Sequence, residues 1–189
     1  MTPPTTPLDI AANRQERKWS GRELAGRVLW AAAQPLFALS PRLLWAWRVW
    51  LLRLFGARIG RNVHIHPSVR IAIPWHLEVG ELSALGDGVI VYSLGPVRIG
   101  RAVTVSQYAH LCAGSHDHRL ASFPLVKAPI TVKDGAWICA DAFVGPGVVV
   151  GDHAIVAARA VAMRDVEPWA IVAGNPATAV GVRPTPISS

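Results

Sequence analysis

From residue 59 onward, aliphatic residues return at every sixth position. Ile59, Ile65 and Ile71 open the series. Val79, Leu85 and Val91 resume it after a slip of two residues, and Ile99, Val105 and Leu111 after a second slip. A longer interruption ends at Val132, and Ile138, Val144, Val150 and Val156 then keep the count. Glycine often follows the aliphatic residue, as at Gly60, Gly80, Gly100 and Gly151, and a small or β-branched residue stands four places after it, as at Val63, Ser83, Val103, Ala136 and Ala154. A period of six fits neither an amphipathic helix nor an alternating strand. It fits a chain that turns a corner every six residues, three sides to a coil, with the aliphatic side chain pointing into a narrow prism. One coil cannot bury its own apolar face, so several must stack through strand hydrogen bonds about 4.8 Å apart. The pattern predicts a parallel β-helix over residues 59–183, with a loop at 116–131 where the count breaks.

Residues 19–58 follow another rule. Trp19, Trp30, Trp45, Trp47 and Trp50 lie here, five of the eight tryptophans in the chain. One helix is expected from Gly21 to Ala33, ending before Pro35. A second starts at Ser40-Pro41, with serine as N-cap and proline in the first turn, and stops at Gly56. Within it Leu43, Trp47, Trp50, Leu51 and Leu54 recur at helical spacing. The pair reads either as a cap on the open end of the β-helix or as an interfacial membrane anchor, since tryptophan and arginine suit the headgroup zone. Residues 1–18, with Pro3, Pro4 and Pro7 among threonines, read as a flexible tail, and 184–189 as another.

The chain has 189 residues, 51% of them hydrophobic, enough for one domain with a sizeable core. Two cysteines are too few for a disulfide scaffold and read as reduced core residues. Met1 to Ser20 holds no apolar stretch of the secretory kind, and no segment is long and apolar enough to span a bilayer. A cytoplasmic protein is expected, peripheral at the inner membrane face if residues 19–56 touch lipid. The net charge of +7 calls for an anionic partner: nucleic acid, a membrane surface or a phosphorylated cofactor. Nucleic acid is disfavoured, because the aromatics are packed tryptophans rather than residues interleaved with basic ones on a sheet face.

The repeats Ile-Gly-Arg-Asn-Val-His at 59–64 and Val-Gly-Asp-His-Ala-Ile at 150–155 resemble those of the hexapeptide-repeat acyltransferases. Gly-Ser-His-Asp at 114–117 and Ala-Gly-Asn-Pro-Ala at 173–177 are similar to the maltose/galactoside O-acetyltransferase group. Leu-Leu-Arg-Leu-Phe-Gly-Ala-Arg-Ile-Gly at 51–60 and Pro-Trp-His-Leu-Glu-Val-Gly at 74–80 resemble the colanic-acid-type exopolysaccharide acetyltransferases. The resemblance implies an all-β fold, a left-handed parallel β-helix of hexapeptide repeats with an N-terminal α-helical segment. It also implies a homotrimer with sites between subunits, acetyl-CoA as acyl donor, a sugar or glycan acceptor, and no metal.

Acetyl transfer from a thioester to a hydroxyl needs a base of near-neutral pKa, and His116 stands where the resembled family has one. By the same resemblance Trp137, Ala140, Ala158, Arg164 and Arg183 follow the cofactor, and the backbone N–H near Ala140 meets the developing oxyanion. Met163-Arg164 replaces the Thr-Lys common in the sugar enzymes, which keeps the charge and loses the hydroxyl. Asp87, Tyr92 and His118 are the polar candidates for the acceptor. The asparagine and aspartate of the galactoside pattern are not matched around Gly86 and Leu94, which favours a larger glycan precursor. His64, His66, His76, His110 and His153 fall at outward or corner positions and read as surface residues. Three other readings remain open: a streptogramin- or chloramphenicol-type acetyltransferase, a zinc enzyme of the β-helical carbonic anhydrase kind, and a non-catalytic scaffold.

Overall fold

The computed structural model describes residues 7–185; residues 1–6 and 186–189, which belong to the two expected tails, lie outside the described residues. From Arg58 the chain winds a parallel β-solenoid of about six turns with three sheets. The first sheet stacks Arg58–Ile59, Leu77–Val79, Val97–Ile99, Ile130–Val132 and Val149–Val150. The second stacks His64–Ile65, Ala84–Leu85, Thr104–Val105, Trp137–Ile138, Ile155–Val156 and Ala170–Ala173, with Thr178–Val182 added antiparallel at its end. The third stacks Arg70–Ile71, Ile90–Tyr92, His110–Cys112, Phe143–Val144 and Val161–Ala162.

The six-residue rule holds on every passage from the first sheet to the second and from the second to the third. Only the corner from the third sheet back to the first varies. There the chain inserts 72–76, with a 3-10 turn at Pro74–His76, then 93–96, then the long loop 113–129. Arg58 therefore faces Glu78 and Glu78 faces Arg98, 20 residues per coil, whereas Thr131 faces Val149, 18 residues on. Both sequence slips and the interruption share this one corner.

Each repeat aliphatic points inward. Ile65, Leu85, Val105, Ile138 and Val156 form one buried ladder, each side chain contributing about 1.5–3 kcal/mol by its burial. The coils press close together at their corners: a Cβ on Gly80 would stand 2.5 Å from the Gly100 carbonyl, so no larger residue fits there.

Three helices precede the solenoid: α1 (Ile10–Gln15), α2 (Gly21–Ala38) and α3 (Trp45–Leu54). The segment read as a flexible tail thus contains α1, N-capped by Asp9. Ser20 and Glu23 form a capping box at the start of α2. α2 does not stop before Pro35 but runs through it. The missing N–H costs one bond near the helix end, while Phe37 beyond it is buried and holds the last turn in place. α3 begins after Leu44 rather than at Ser40-Pro41: Ser40 Oγ donates to Phe37 O and accepts from Arg48, so it is not free to cap. Gly56 ends α3 as expected, at φ +85°, with its N–H on Arg53 O and that of Ala57 on Leu52 O.

The helical hairpin closes the open end of the prism with Trp30, Phe37, Val49, Leu51 and Leu52. Trp30 Nε1 donates to Ile71 O at 2.8 Å. Arg48 is fully buried: its Nε donates to Ile65 O at 2.6 Å and its terminal nitrogens to Ser40 Oγ, Pro41 O and Arg42 O, while its plane lies against Trp45. Burial pulls its pKa below the ordinary guanidinium value. The inner face of α3 is thus Arg48, Val49, Leu51 and Leu52; of the expected stripe only Leu51 points inward, while Leu43, Trp47, Trp50 and Leu54 face outward. Cys112 and Cys139 are free and half-buried. No helix among the described residues is long and apolar enough to cross a membrane.

Candidate active site

Within the corner loop, Ser115–His116 pairs antiparallel with Leu125–Val126. The His116 ring is fixed in two directions. It stacks on Phe123 at 4.8 Å between centroids and 9° between planes, and its Nδ1 lies 2.8 Å from Phe123 O. A carbonyl oxygen only accepts, so Nδ1 carries the proton and Nε2 keeps its lone pair, the tautomer a general base requires. The histidine lines a cleft of about 380 Å³ with Ser115, His118, Arg119, Ala128 and Pro146.

The loop is held from the N-terminus. Asp9 N–H donates to Ala121 O, and Asn13 Nδ2 donates to Ser122 O and to Phe123 O, the atom that also receives His116. Lys127 Nζ donates to Lys18 O at 2.9 Å and stands 3.5 Å from the centre of the Trp19 ring. Asp117 is committed elsewhere. It takes both Arg119 Nε and a terminal nitrogen at 2.8 Å, and these bonds, more than the Arg119 charge, hold its pKa at about 2. It therefore does not orient His116.

The expected cofactor and acceptor residues fall into separate places. At the corner between the second and third sheets, Asp87, Gln107, Ala140 and Ala158 form a column. Tyr108 N–H donates to Asp87 O, Asp141 N–H to Gln107 O and Arg159 N–H to Ala140 O. Trp137 stands beside this column, 42% exposed, with Nε1 on Ser106 Oγ at 2.9 Å. The Ala140 N–H has no hydrogen-bond partner among the described residues. Asp87 anchors a small polar cluster: Oδ1 lies 2.9 Å from His66 Nδ1 and 3.0 Å from Ser68 Oγ, and Arg42 approaches at 3.9 Å. The close approach of the His66 ring and then the bond from Ser68 lower its pKa.

His116, His118 and Arg164 share the corner between the third and first sheets, with Arg164 one coil beyond Pro146; Tyr92 stands exposed at the root of the loop. Arg183 lies in a third place. Its guanidinium donates to Gly135 O and His153 O at the remaining corner, away from both groups, and fastens the C-terminal strand there. His66 and His110 are not plain surface residues. The buried His66 Nδ1 approaches Asp87 without an aligned hydrogen bond, and His110 packs edge-on between Phe143 and Tyr92, its Nε2 buried without a partner and its pKa lowered by burial. Asn13, Phe123 and Arg42 carried no sequence signal, since their roles rest on contacts over long separations. Among the described residues no three of His, Cys, Asp or Glu are grouped to hold a metal.

No protein-family model matches the chain. The chain is 41% identical over 163 residues to the colanic acid biosynthesis acetyltransferase WcaF of Escherichia coli, covering 86% of this chain and 90% of that one. The chain belongs to the hexapeptide-repeat acetyltransferases. Its solenoid superposes on the hexapeptide-repeat acetyltransferase VCA0836 of Vibrio cholerae with a TM-score of 0.81 at 24% identity, over 88% of this chain and 95% of that one. A second structure of VCA0836 holds acetyl coenzyme A and gives 0.78 at 23% identity, over 88% and 91%. A chloramphenicol acetyltransferase of Agrobacterium fabrum matches at 33% over 95 residues, 40% of this chain and 46% of that protein. The chain is thus an acetyltransferase, and its solenoid is the scaffold of this family.

Proposed function

We propose that this acetyltransferase moves an acetyl group from acetyl-CoA to a hydroxyl of an exopolysaccharide precursor or related glycan, with His116 as general base. The bond from His116 Nδ1 to Phe123 O carries this reading, because it leaves Nε2 as the proton acceptor on an open cleft. The donor supplies an acetyl thioester. Nε2 takes the acceptor's hydroxyl proton as that oxygen bonds to the acetyl carbon, and returns the proton to the departing sulfur, so an ester and a free thiol leave. The Ala140 N–H, without a partner among the described residues, is the donor that would meet negative charge on the acetyl oxygen. Trp137 offers a wall for the pantetheine arm, Ala140 and Ala158 leave its path open, and Arg164 is a cation for a phosphate.

His116 and Ala140 stand at opposite edges of the third sheet, so one chain alone does not assemble the site. A homotrimer, in which His116 of one subunit faces Ala140 of the next, joins the halves. The outer face of the third sheet suits such an interface: it carries Ile90, Tyr92, His110, Phe143 and Val161, whereas the first sheet displays the paired charges Arg58, Glu78 and Arg98.

The test is thiol release from acetyl-CoA with a panel of sugars and glycan precursors. Turnover with a glycan that falls about 10²-fold or more in His116→Ala is expected. The partial match to chloramphenicol acetyltransferases favours including chloramphenicol; turnover with it alone overturns the glycan reading.

A further inference from the structure

The helical hairpin has a second face that the solenoid does not use. Trp47, Trp50 and Leu54 recur at helical spacing along α3 and face outward, as does Leu43 in the turn before it, with Leu43 83%, Trp50 52% and Leu54 65% exposed. Trp47 and Trp50 stack on each other at 5.1 Å. Trp47 Nε1 donates to Leu36 O on α2, and Leu54 shares a groove of about 750 Å³ with Leu29, Gly26 and Trp75. The exposed stripe of α3 therefore continues across the seam onto α2. Scattered apolar residues are normal on a soluble surface, but a contiguous set of large ones marks a contact.

The charge around this face selects the contact. Of the six arginines between residues 20 and 60, Arg48 is buried and Arg58 is paired with Glu78, which leaves Arg22, Arg27, Arg42 and Arg53 against one acid of that stretch, Glu23, whose carboxylate is engaged by Ser20 at the α2 N-terminus. Arg22 lines the same groove as Leu29 and Leu54. A second copy of the hairpin would bring like charges together, whereas an anionic lipid surface offers both apolar depth and phosphates. Neither helix is long and apolar enough to cross the bilayer, so the hairpin lies on it.

We infer that the outer face of the α2–α3 hairpin docks on an anionic lipid surface, with Leu36, Leu43, Trp47 and Trp50 at headgroup depth and arginines on the phosphates. The inference does not depend on the identity of the acceptor or on the role of His116.

The full chain is floated with vesicles of phosphatidylcholine alone and of equimolar phosphatidylcholine and phosphatidylglycerol. The wild type is expected to float with the anionic vesicles, and less so as salt rises. The triple variant Leu43→Gln, Trp50→Gln, Leu54→Gln is expected to lose about tenfold or more of that binding. Its unfolding midpoint and acetyl-transfer turnover serve as controls for folding. No flotation of the wild type on anionic vesicles overturns the inference, as does equal flotation of the variant. Concentration-dependent self-association that the variant abolishes, without vesicle binding, assigns the face to a second copy instead.

Discussion

The imidazole of His116 and the carboxamide of Asn13 meet on one atom, the carbonyl oxygen of Phe123. Asn13 is more than one hundred residues away in sequence, yet it helps fix the carbonyl that sets the histidine's tautomer and tilt. With His116 as the proposed base, Asn13→Ala is therefore expected to lower kcat about three- to tenfold with a smaller change in KM, because it loosens the imidazole rather than the binding groove. Steady-state kinetics over acceptor concentration check this, and an unchanged kcat would remove Asn13 from the positioning of His116.

Asp117 neighbours His116 but is bound to Arg119. Its folded pKa, about 2, lies below its ordinary value, so the stabilisation from this pair is present above that ordinary value and is lost as pH falls through the folded one. The group is ionised throughout any working pH range. Asp117→Asn is expected to leave the acid limb of the kcat/KM profile where it is. A displaced limb would mean that Asp117 acts on His116 after all.

Arg48 holds the cap to the prism through four acceptors and no carboxylate among the described residues. Arg48→Ala strands the buried Ile65 carbonyl and opens a void beneath α3, and a loss of about 3 kcal/mol is expected in urea unfolding. Arg48→Lys should recover little, since an ammonium cannot span a fork of acceptors.

The proposed sharing of the site between subunits has a numerical consequence. His116→Ala and Ala158→Trp subunits, each inactive alone, are co-refolded at equal amounts. In a closed trimer about a quarter of the interfaces then combine an intact His116 with an intact Ala158, and about a quarter of wild-type turnover is expected. Activity no higher than either variant alone places the whole site within one chain.

The solenoid was legible because its rule is local: one inward aliphatic every six residues survives any tertiary context. The contacts that build the site are not local. Asn13 reaches Phe123 through amide chemistry that leaves no hydrophobic period, so the segment around it read as tail. The α3 helix misled for another reason. Apolar residues surround it, and spacing alone does not tell the stripe that meets the prism, organised by Arg48, from the one that meets solvent. The bonds of Arg183 to the Gly135 and His153 carbonyls left no sequence signal either, because the fold of two distant stretches sets them.

Every irregular stretch of the solenoid leaves from the same corner, and the three sheets keep their register whatever is inserted there. Residues added or removed at 93–96 or within 113–129 lengthen an edge without shifting a single rung of the ladders beneath. A lineage on this scaffold is thus free to rewrite that rim, the loop of His116 included, while the regular faces of the prism are inherited whole.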